Sequence, residues 1–362
     1  MSVRRGESIR RLAKRASLAA AIGVIAGALS AVFLHGLDFV TRVRLDFPWL
    51  LFALPFAGLI LGAAIERWGG RALGGTSLVL DAVYDTRTPR QPDDRVPGAM
   101  APWVLFGTWW THLFGGSAGR EGTAVQMGAS VAEVVSARTK LDAHDRRVML
   151  HAGIAAGFGS VFGTPCAGAI FAIEVSRIGR LEGEAMLPAF IAAVVGDLVT
   201  RGLAVRHTQY LPVSPATLDL PMIARLLTLG VAAGLASRTF VVLTERVKSI
   251  GAKRLPSLPL RMFVGGLIVV ALSRIPGAAP TLGLGVPTIV SASFDASMKP
   301  WLFAMKIVMT ALTVGSGFIG GEVTPLFFVG ATLGNALARP LGLPLPFAAG
   351  VMLPAVFAAA SN

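Results

Sequence analysis

Disulfides and thiolate metal clusters are excluded at the outset, because the chain has one cysteine, Cys166. Its five histidines, His35, His112, His144, His151 and His207, show no metal-ligand spacing, so no metal is expected. There is no Walker-type phosphate-binding loop, which argues against ATP as an energy source, and no cofactor is expected. Charge is scarce: Asp, Glu, Lys and Arg make up 15% of 362 residues. Acids are scarcer still, 20 against 33 Lys plus Arg, which leaves a formal net charge of +13. A soluble domain with that balance would suggest nucleic acid. Here 54% of residues are hydrophobic and the mean hydropathy is +0.67, which places the chain among polytopic membrane proteins. The basic residues lie between apolar segments, so they are read as topology and not as a nucleic-acid surface.

Arg4, Arg5, Arg10, Arg11, Lys14 and Arg15 face one acid, Glu7, in the first fifteen residues. By the positive-inside rule residues 1–16 form a basic cytoplasmic N-terminus, and the protein is expected in the cell (inner) membrane. The apolar run after them is too long for a signal-peptide core, so it is read as a retained helix. Residues 17–205 then form a first membrane repeat, 206–220 a linker and 221–362 a second repeat. Expected helices are Ser17–Val40, Phe47–Trp68, Met100–Phe114, Thr123–Val135, Ala185–Thr200, Met222–Arg246, Leu258–Leu272, Trp301–Val314, a helix after Glu322 to about Leu337, and Phe347–Ala360. Gly69–Gly98 reads as a loop, Ser136–Arg147 as a polar loop, and His151–Val175 as two short helices broken at Gly163-Thr-Pro165.

The chain is organised around Gly115–Gly128, GGSAGREGTAVQMG, where Glu121 sits in a Gly-rich turn between apolar helices. An ionisable residue at membrane depth marks a functional site by default. The motif returns: Gly119-Arg-Glu121-Gly-Thr123 recurs as Gly320-Gly-Glu322-Val-Thr324, 201 residues later. The flanks recur in the same order. Gly23–Gly27 matches Gly230–Gly234, Ala57–Ile60 matches Gly265–Ile268, and Pro102-Trp103 matches Pro300-Trp301. Two homologous halves with Gly-rich breaks at matching positions are a transporter signature. The second copy is shorter than the first by about two helices.

These residues resemble the CLC family of anion channels and proton-coupled antiporters. The resemblance runs from about Gly23 to the end of the chain. It rests on Gly119-Arg-Glu121-Gly-Thr123, on Gly315–Pro325, and on the small residues around Gly163–Gly168. The Gly320-Gly-Glu-x-Thr-Pro325 form looks like the fluoride/proton antiporter branch. Thr123 stands where chloride members usually have Pro, and Gly75-Thr76-Ser77-Leu78 lacks the Pro of their central turn. The region Val205–Val213 carries no acid where chloride/proton members have an inner one. The family's central tyrosine has no counterpart, since Tyr84 and Tyr210 fall in loop-like contexts.

The resemblance implies an all-α, CLC-like inverted repeat of tilted and re-entrant helices, apparently without the last helices, and a homodimer in the lipid bilayer. Carried over residue by residue, Glu121 is the gating and proton-transfer acid. Glu322 and Thr324 are the polar pair of the fluoride branch, with Glu322 a second proton relay. Thr76 with Ser77, and the turns at Gly119, Arg120, Gly122, Phe318 and Ile319, would bind the anion. The chemistry is consistent with that, because fluoride must exchange its water for N–H and O–H donors. Proton exchange needs a carboxyl group that competes with the anion when ionised and withdraws when protonated. The expected function is fluoride export against protons. The alternatives are a chloride transporter of the same fold, a silent truncated subunit, and a membrane serine hydrolase built on Ser117 in Gly115-Gly-Ser117-Ala-Gly119. The protein is otherwise not expected to be an enzyme.

Overall fold

A computed structural model describes residues 2–84, 95–175, 182–210, 213 and 217–361. Among them there are helices and no β-strands. In chain order the helices are α1 (Ser2–Asp46), α2 (Leu54–Ala64), α3 (Gly75–Tyr84), α4 (Met100–Leu113), α5 (Glu121–Arg138), α6 (Ala143–Phe162) and α7 (Pro165–Glu174). They continue as α8 (Gly183–Gly202), α9 (Leu220–Arg254), α10 (Leu258–Ser273), α11 (Val286–Ser291), α12 (Leu302–Gly315), α13 (Val323–Ala338) and α14 (Leu345–Ser361). Among the described residues four segments are long and apolar enough to cross a bilayer: Ile9–Asp46, Pro48–Val83, Gly183–Gly202 and Leu220–Arg254.

The chain forms two compact units that do not follow the sequence halves. One contains 1–39, 68–106 and 121–208; the other contains 40–67, 107–120 and 209–362. Thus 40–67 and 107–120, from the first repeat, belong with the second, and the chain changes unit inside α1 and α4.

In the first unit, helices approach through small residues. A Cβ on Gly23 would stand 2.7 Å from the Ala192 carbonyl, and one on Gly27 would lie 2.9 Å from the Gly196 Cα, so α1 lies against α8. Gly128 on α5 meets Gly153 and Gly157 on α6, with no room for a side chain at any of the three. Without water to expel between helices in lipid, such close approach is what gains dispersion energy. Helix α6 begins at Asp142, whose Oδ1 accepts the Asp145 N–H at 2.7 Å. That bond holds the Asp142 carboxyl below its ordinary range. Helix α6 ends at Gly163, at φ 71°, and Pro165 starts α7. The break expected at Gly163–Pro165 is present. The polar loop expected over Ser136–Arg147 is much shorter, because α5 runs to Arg138 and α6 starts at Ala143. The span expected to start at Ser17 belongs to a longer helix. Arg15 on it is buried, donating to Asp145 at 2.7 Å and to Glu184 at 2.8 Å. Gly69–Gly98, expected as a loop, contains helix α3, and its residues 85–94 lie outside the described ones. Residues 211 and 212, in the acid-free Val205–Val213 stretch, also lie outside them.

In the second unit, α2 crosses α10. A Cβ on Gly62 would stand 2.6 Å from Pro259 Cα, and one on Gly266 would stand 2.9 Å from Pro55 Cα. These are the two helices that carry the repeated Ala57–Ile60 and Gly265–Ile268. Trp110 of α4 donates its Nε1–H to the Ala57 carbonyl at 3.0 Å. A core of Leu54, Leu61, Met262, Val269, Leu282, Met309 and Phe318 fills the space around them. A second core, led by Phe240, Val329 and Met352, joins α9, α13 and α14. Gly230 and Gly234 on α9, the repeat counterparts of Gly23 and Gly27, make no such approach: a Cβ on either meets open space.

Glu133 of α5 and Arg146 of α6 form a buried ion pair, with Arg146 Nε 2.8 Å and 2.9 Å from the two carboxylate oxygens. Removing one partner strands the other charge, so Glu133→Ala should destabilise the protein by about 3–5 kcal/mol. The double replacement Glu133→Leu with Arg146→Met should recover most of that loss, as read by thermal unfolding in detergent. Equal losses in the single and double variants would show that the pair is not the cause.

Candidate functional site

The two repeated Gly-rich turns meet in the second unit. Gly119 N–H donates to the Gly321 carbonyl at 2.6 Å, and Gly321 N–H donates to the Gly119 carbonyl at 2.8 Å. This antiparallel pair is an isolated bridge. Both glycines are buried, so their peptide groups must find partners within the protein, and each turn uses the other. Glycine is required at three points. Gly115 and Gly317, which shape the two turns, have φ of 80° and 109°, where other residues are strained. At Gly320 a Cβ would stand 2.5 Å from the Ala118 Cβ.

Polar side chains of α4 and α12 hold the first turn. Ser117 N–H donates to Thr313 Oγ1 at 3.1 Å, and Ser117 Oγ lies 2.9 Å from Thr310 Oγ1. Ser117 Oγ also donates to the Thr281 carbonyl at 2.8 Å. His112 sits between two carbonyls, 2.8 Å from Thr108 O and 3.1 Å from Ala118 O. With the peptide atoms so committed, the N–H groups of Ala118, Ile319 and Gly320 make no hydrogen bond among the described residues. Three buried or half-buried N–H donors at one crossing form an anion-receptive surface.

The predicted site residues divide between the units. In the second unit the bridge brings Gly119 and Arg120 to the Phe318–Glu322 turn. The N–H of Gly119 is engaged in that bridge. Phe318 N–H faces the Thr313 carbonyl at 3.3 Å, and its ring packs against Gly58 and Met262. The Ile319 side chain packs on Gly107. Glu322 is the N-cap of α13 and makes no side-chain cap bond; Thr324 is buried in that helix's first turn. In the first unit Glu121 is the first residue of α5 and is 1% exposed, followed by Gly122. The Gln126 side chain, on the same helix, donates to Thr76 Oγ1 at 3.2 Å. Ser77 is exposed, and its hydroxyl donates to the Gly74 carbonyl at 2.9 Å. The hydrolase reading of Ser117 fails on geometry. Its hydroxyl is buried on a carbonyl and a threonine, and no histidine is among its partners.

Sequence reasoning passed over Lys306, Thr310, Thr313 and Thr281, and it weighed His112 only as a metal ligand. Lys306 was visible as a lone cation inside the apolar run Leu302–Thr313. The threonines are ordinary in composition, and only the fold shows that they face the turn. Among the described residues, no group of three or more His, Cys, Asp or Glu is placed to hold a metal ion.

Paired re-entrant turns, each with an acid at the start of the next helix, define a polytopic membrane transporter built on an internal repeat. The voltage gated chloride channel family matches residues 57–362, and the chain belongs to this CLC family. A "Chloride/fluoride channel protein" of Pseudomonas syringae pv. tomato is 42% identical over 97% of this chain and 77% of its own. The crystal structure of a CLC-type fluoride/proton antiporter superposes with a TM-score of 0.90 at 33% identity, covering 97% of this chain and 87% of that one. A slow cyanobacterial Cl−/H+ antiporter shares the fold, with a TM-score of 0.73 at 21% identity.

The turn crossing is sterically closed. Gly320→Ala should lower thermal stability in detergent by about 1–3 kcal/mol, because Ala118 must shift to admit the methyl. Gly234→Ala, facing open space, should leave it unchanged or slightly raised. A neutral Gly320→Ala would mean that the two turns do not approach as described.

Proposed function

We propose that the protein exports fluoride across the cell (inner) membrane in exchange for protons. The observation that carries this reading is the bridged pair of Gly-rich turns, with Glu121 two residues beyond one bridged glycine and Glu322 directly after the other. Unpaired N–H groups at the crossing suit a small, strongly hydrated anion, because they replace its water without a counter-charge. A carboxyl at a helix start has two uses. Ionised, it competes with the anion for the N–H groups of that first turn; protonated, it yields them. Glu121, nearly fully buried, takes this role, and Glu322 with Thr324 serves as a second relay. The same reading gives anion-binding roles to Thr76, whose hydroxyl Gln126 holds, and to Ser77, Gly122, Arg120, Phe318 and Ile319. The names of two relatives, the chloride/fluoride channel protein and the fluoride/proton antiporter, support the choice of ion. So do Thr123 and the Gly320–Pro325 sequence.

The same reading takes residues 1–16 as cytoplasmic, 17–205 and 221–362 as the two membrane repeats, and 206–220 as their linker. It takes the working form as a homodimer in lipid, and the activity as transport and not enzymatic turnover. A chloride transporter of the same fold is the second reading, favoured by the chloride-channel names of more distant relatives.

Liposomes containing the purified protein, loaded with fluoride or chloride and monitored for pH, test this directly. Fluoride efflux should be accompanied by proton uptake. Glu121→Gln, which keeps the side chain's shape but holds no titrating proton, should abolish the coupling. Chloride efflux as fast as fluoride efflux would move the protein to the second reading. No flux of either ion from folded protein would overturn both.

A further inference from the structure

Lys306 is 0% exposed in the middle of apolar helix α12. Burying an ammonium group is costly, and a carboxylate usually compensates it. Here the partners are neutral. Nζ donates to the Thr281 carbonyl at 3.0 Å and to the Gly283 carbonyl at 2.7 Å. The Phe328 ring centroid lies 5.2 Å away, close enough for a cation–π contribution. No ion pair joins Lys306 to any acid among the described residues. A second cation is near: Arg44 Nη2 lies 4.0 Å from the position a Gly283 Cβ would take, and Arg44 Nη1 lies 3.9 Å from that of Gly115. Among the described residues neither cation is ion-paired with an acid, which leaves a positive potential inside a low-dielectric unit.

The lysine is also wired to the first turn. The Thr281 carbonyl accepts from both Lys306 Nζ and Ser117 Oγ. Ser117 is bonded in turn to Thr310 and Thr313, one and two turns along Lys306's own helix. Ser117 leads directly into Ala118 and Gly119, the unpaired N–H and the bridge. The lysine therefore fixes the carbonyl on which the turn is hung.

We propose that Lys306 is a positioning residue for anion transport: a built-in cation, held by carbonyls alone, that orients the Ser117–Gly119 turn through the shared Thr281 carbonyl and favours an anion there. This rests on the anion-site reading above. A carboxylate partner would cancel the field, which gives a reason for carbonyl ligands in its place.

Full-length protein in liposomes tests it, with initial efflux rates measured against fluoride concentration for wild type, Lys306→Met and Ser117→Ala. Folding is checked by gel filtration and thermal unfolding. Lys306→Met keeps the length and loses the charge, and the fluoride KM should rise about tenfold, the scale of one charge-assisted interaction. A lysine that only supports the fold would reduce the active fraction and leave KM unchanged, and that result overturns the proposal. If Lys306→Met is not recovered folded, Ser117→Ala decides. It frees the shared carbonyl with the loss of one oxygen, and KM should rise about threefold, roughly one neutral hydrogen bond; an unchanged KM overturns the proposal. The failure of the fluoride reading is distinguishable. If wild type moves chloride and no fluoride, that reading falls, and the same KM comparison on chloride still judges Lys306. If wild type moves neither ion, both fall.

Discussion

Two hydrogen bonds between Gly119 and Gly321 are the constraint on which the second unit depends. Non-helical backbone at membrane depth must find partners inside the protein. The two turns solve this by pairing with each other, which requires that they touch, and touching requires glycine. The Ala118 methyl occupies the space a side chain on Gly320 would need. Once the bridge forms, the neighbouring N–H groups of Ala118, Ile319 and Gly320 remain unpaired. The same requirement that closes the turns leaves donors available to an anion.

The bridge is one of two places where repeated sequences meet. Helices α2 and α10, which carry matching Gly-Leu-Ile stretches, cross with Gly58 and Gly62 against Met262 and Pro259. Equivalent elements of both repeats are therefore paired in one compact unit, and this accounts for a unit boundary that ignores the sequence halves. Segments 40–67 and 107–120 are drawn to 209–362 because their packing partners are their own repeat counterparts. Around this arrangement α12 contributes three polar side chains on one face, Lys306, Thr310 and Thr313, spaced as neighbours on a helix surface. A helix that looks apolar in composition thus supplies the polar support for the turn.

Much of the organisation was legible in the sequence because it depends on local chemistry. Gly and an acid at fixed spacing marked both turns, Pro325 followed the second, and Gly163-Thr-Pro165 marked the break between α6 and α7. What was not legible depends on distant partners. Nothing near Lys306 in sequence shows that it is held by carbonyls 25 and 23 residues away. The helix under Thr76 was obscured by the glycines before it, which serve as its entry and do not extend the loop. The bridge's use of the Gly119 N–H was hidden for a similar reason. The motif indicates which N–H groups exist, but not which are already bonded. Gly230 and Gly234 share their spacing with Gly23 and Gly27, yet only the latter face another helix, α8. Spacing places small residues on one side of a helix and leaves open which neighbour, if any, lies there.

The central claim is that unpaired N–H groups at the turn crossing receive the anion, and amide NMR reads those groups directly. Protein labelled with nitrogen-15 glycine and isoleucine would be titrated with fluoride in detergent, with Ile319 assigned by its replacement with valine. The account predicts saturable shifts of the Ile319 and Gly320 amide signals, with Gly119 and Gly321 shifting less because their N–H groups are already bonded. Saturable shifts confined to other isoleucines and glycines would contradict it.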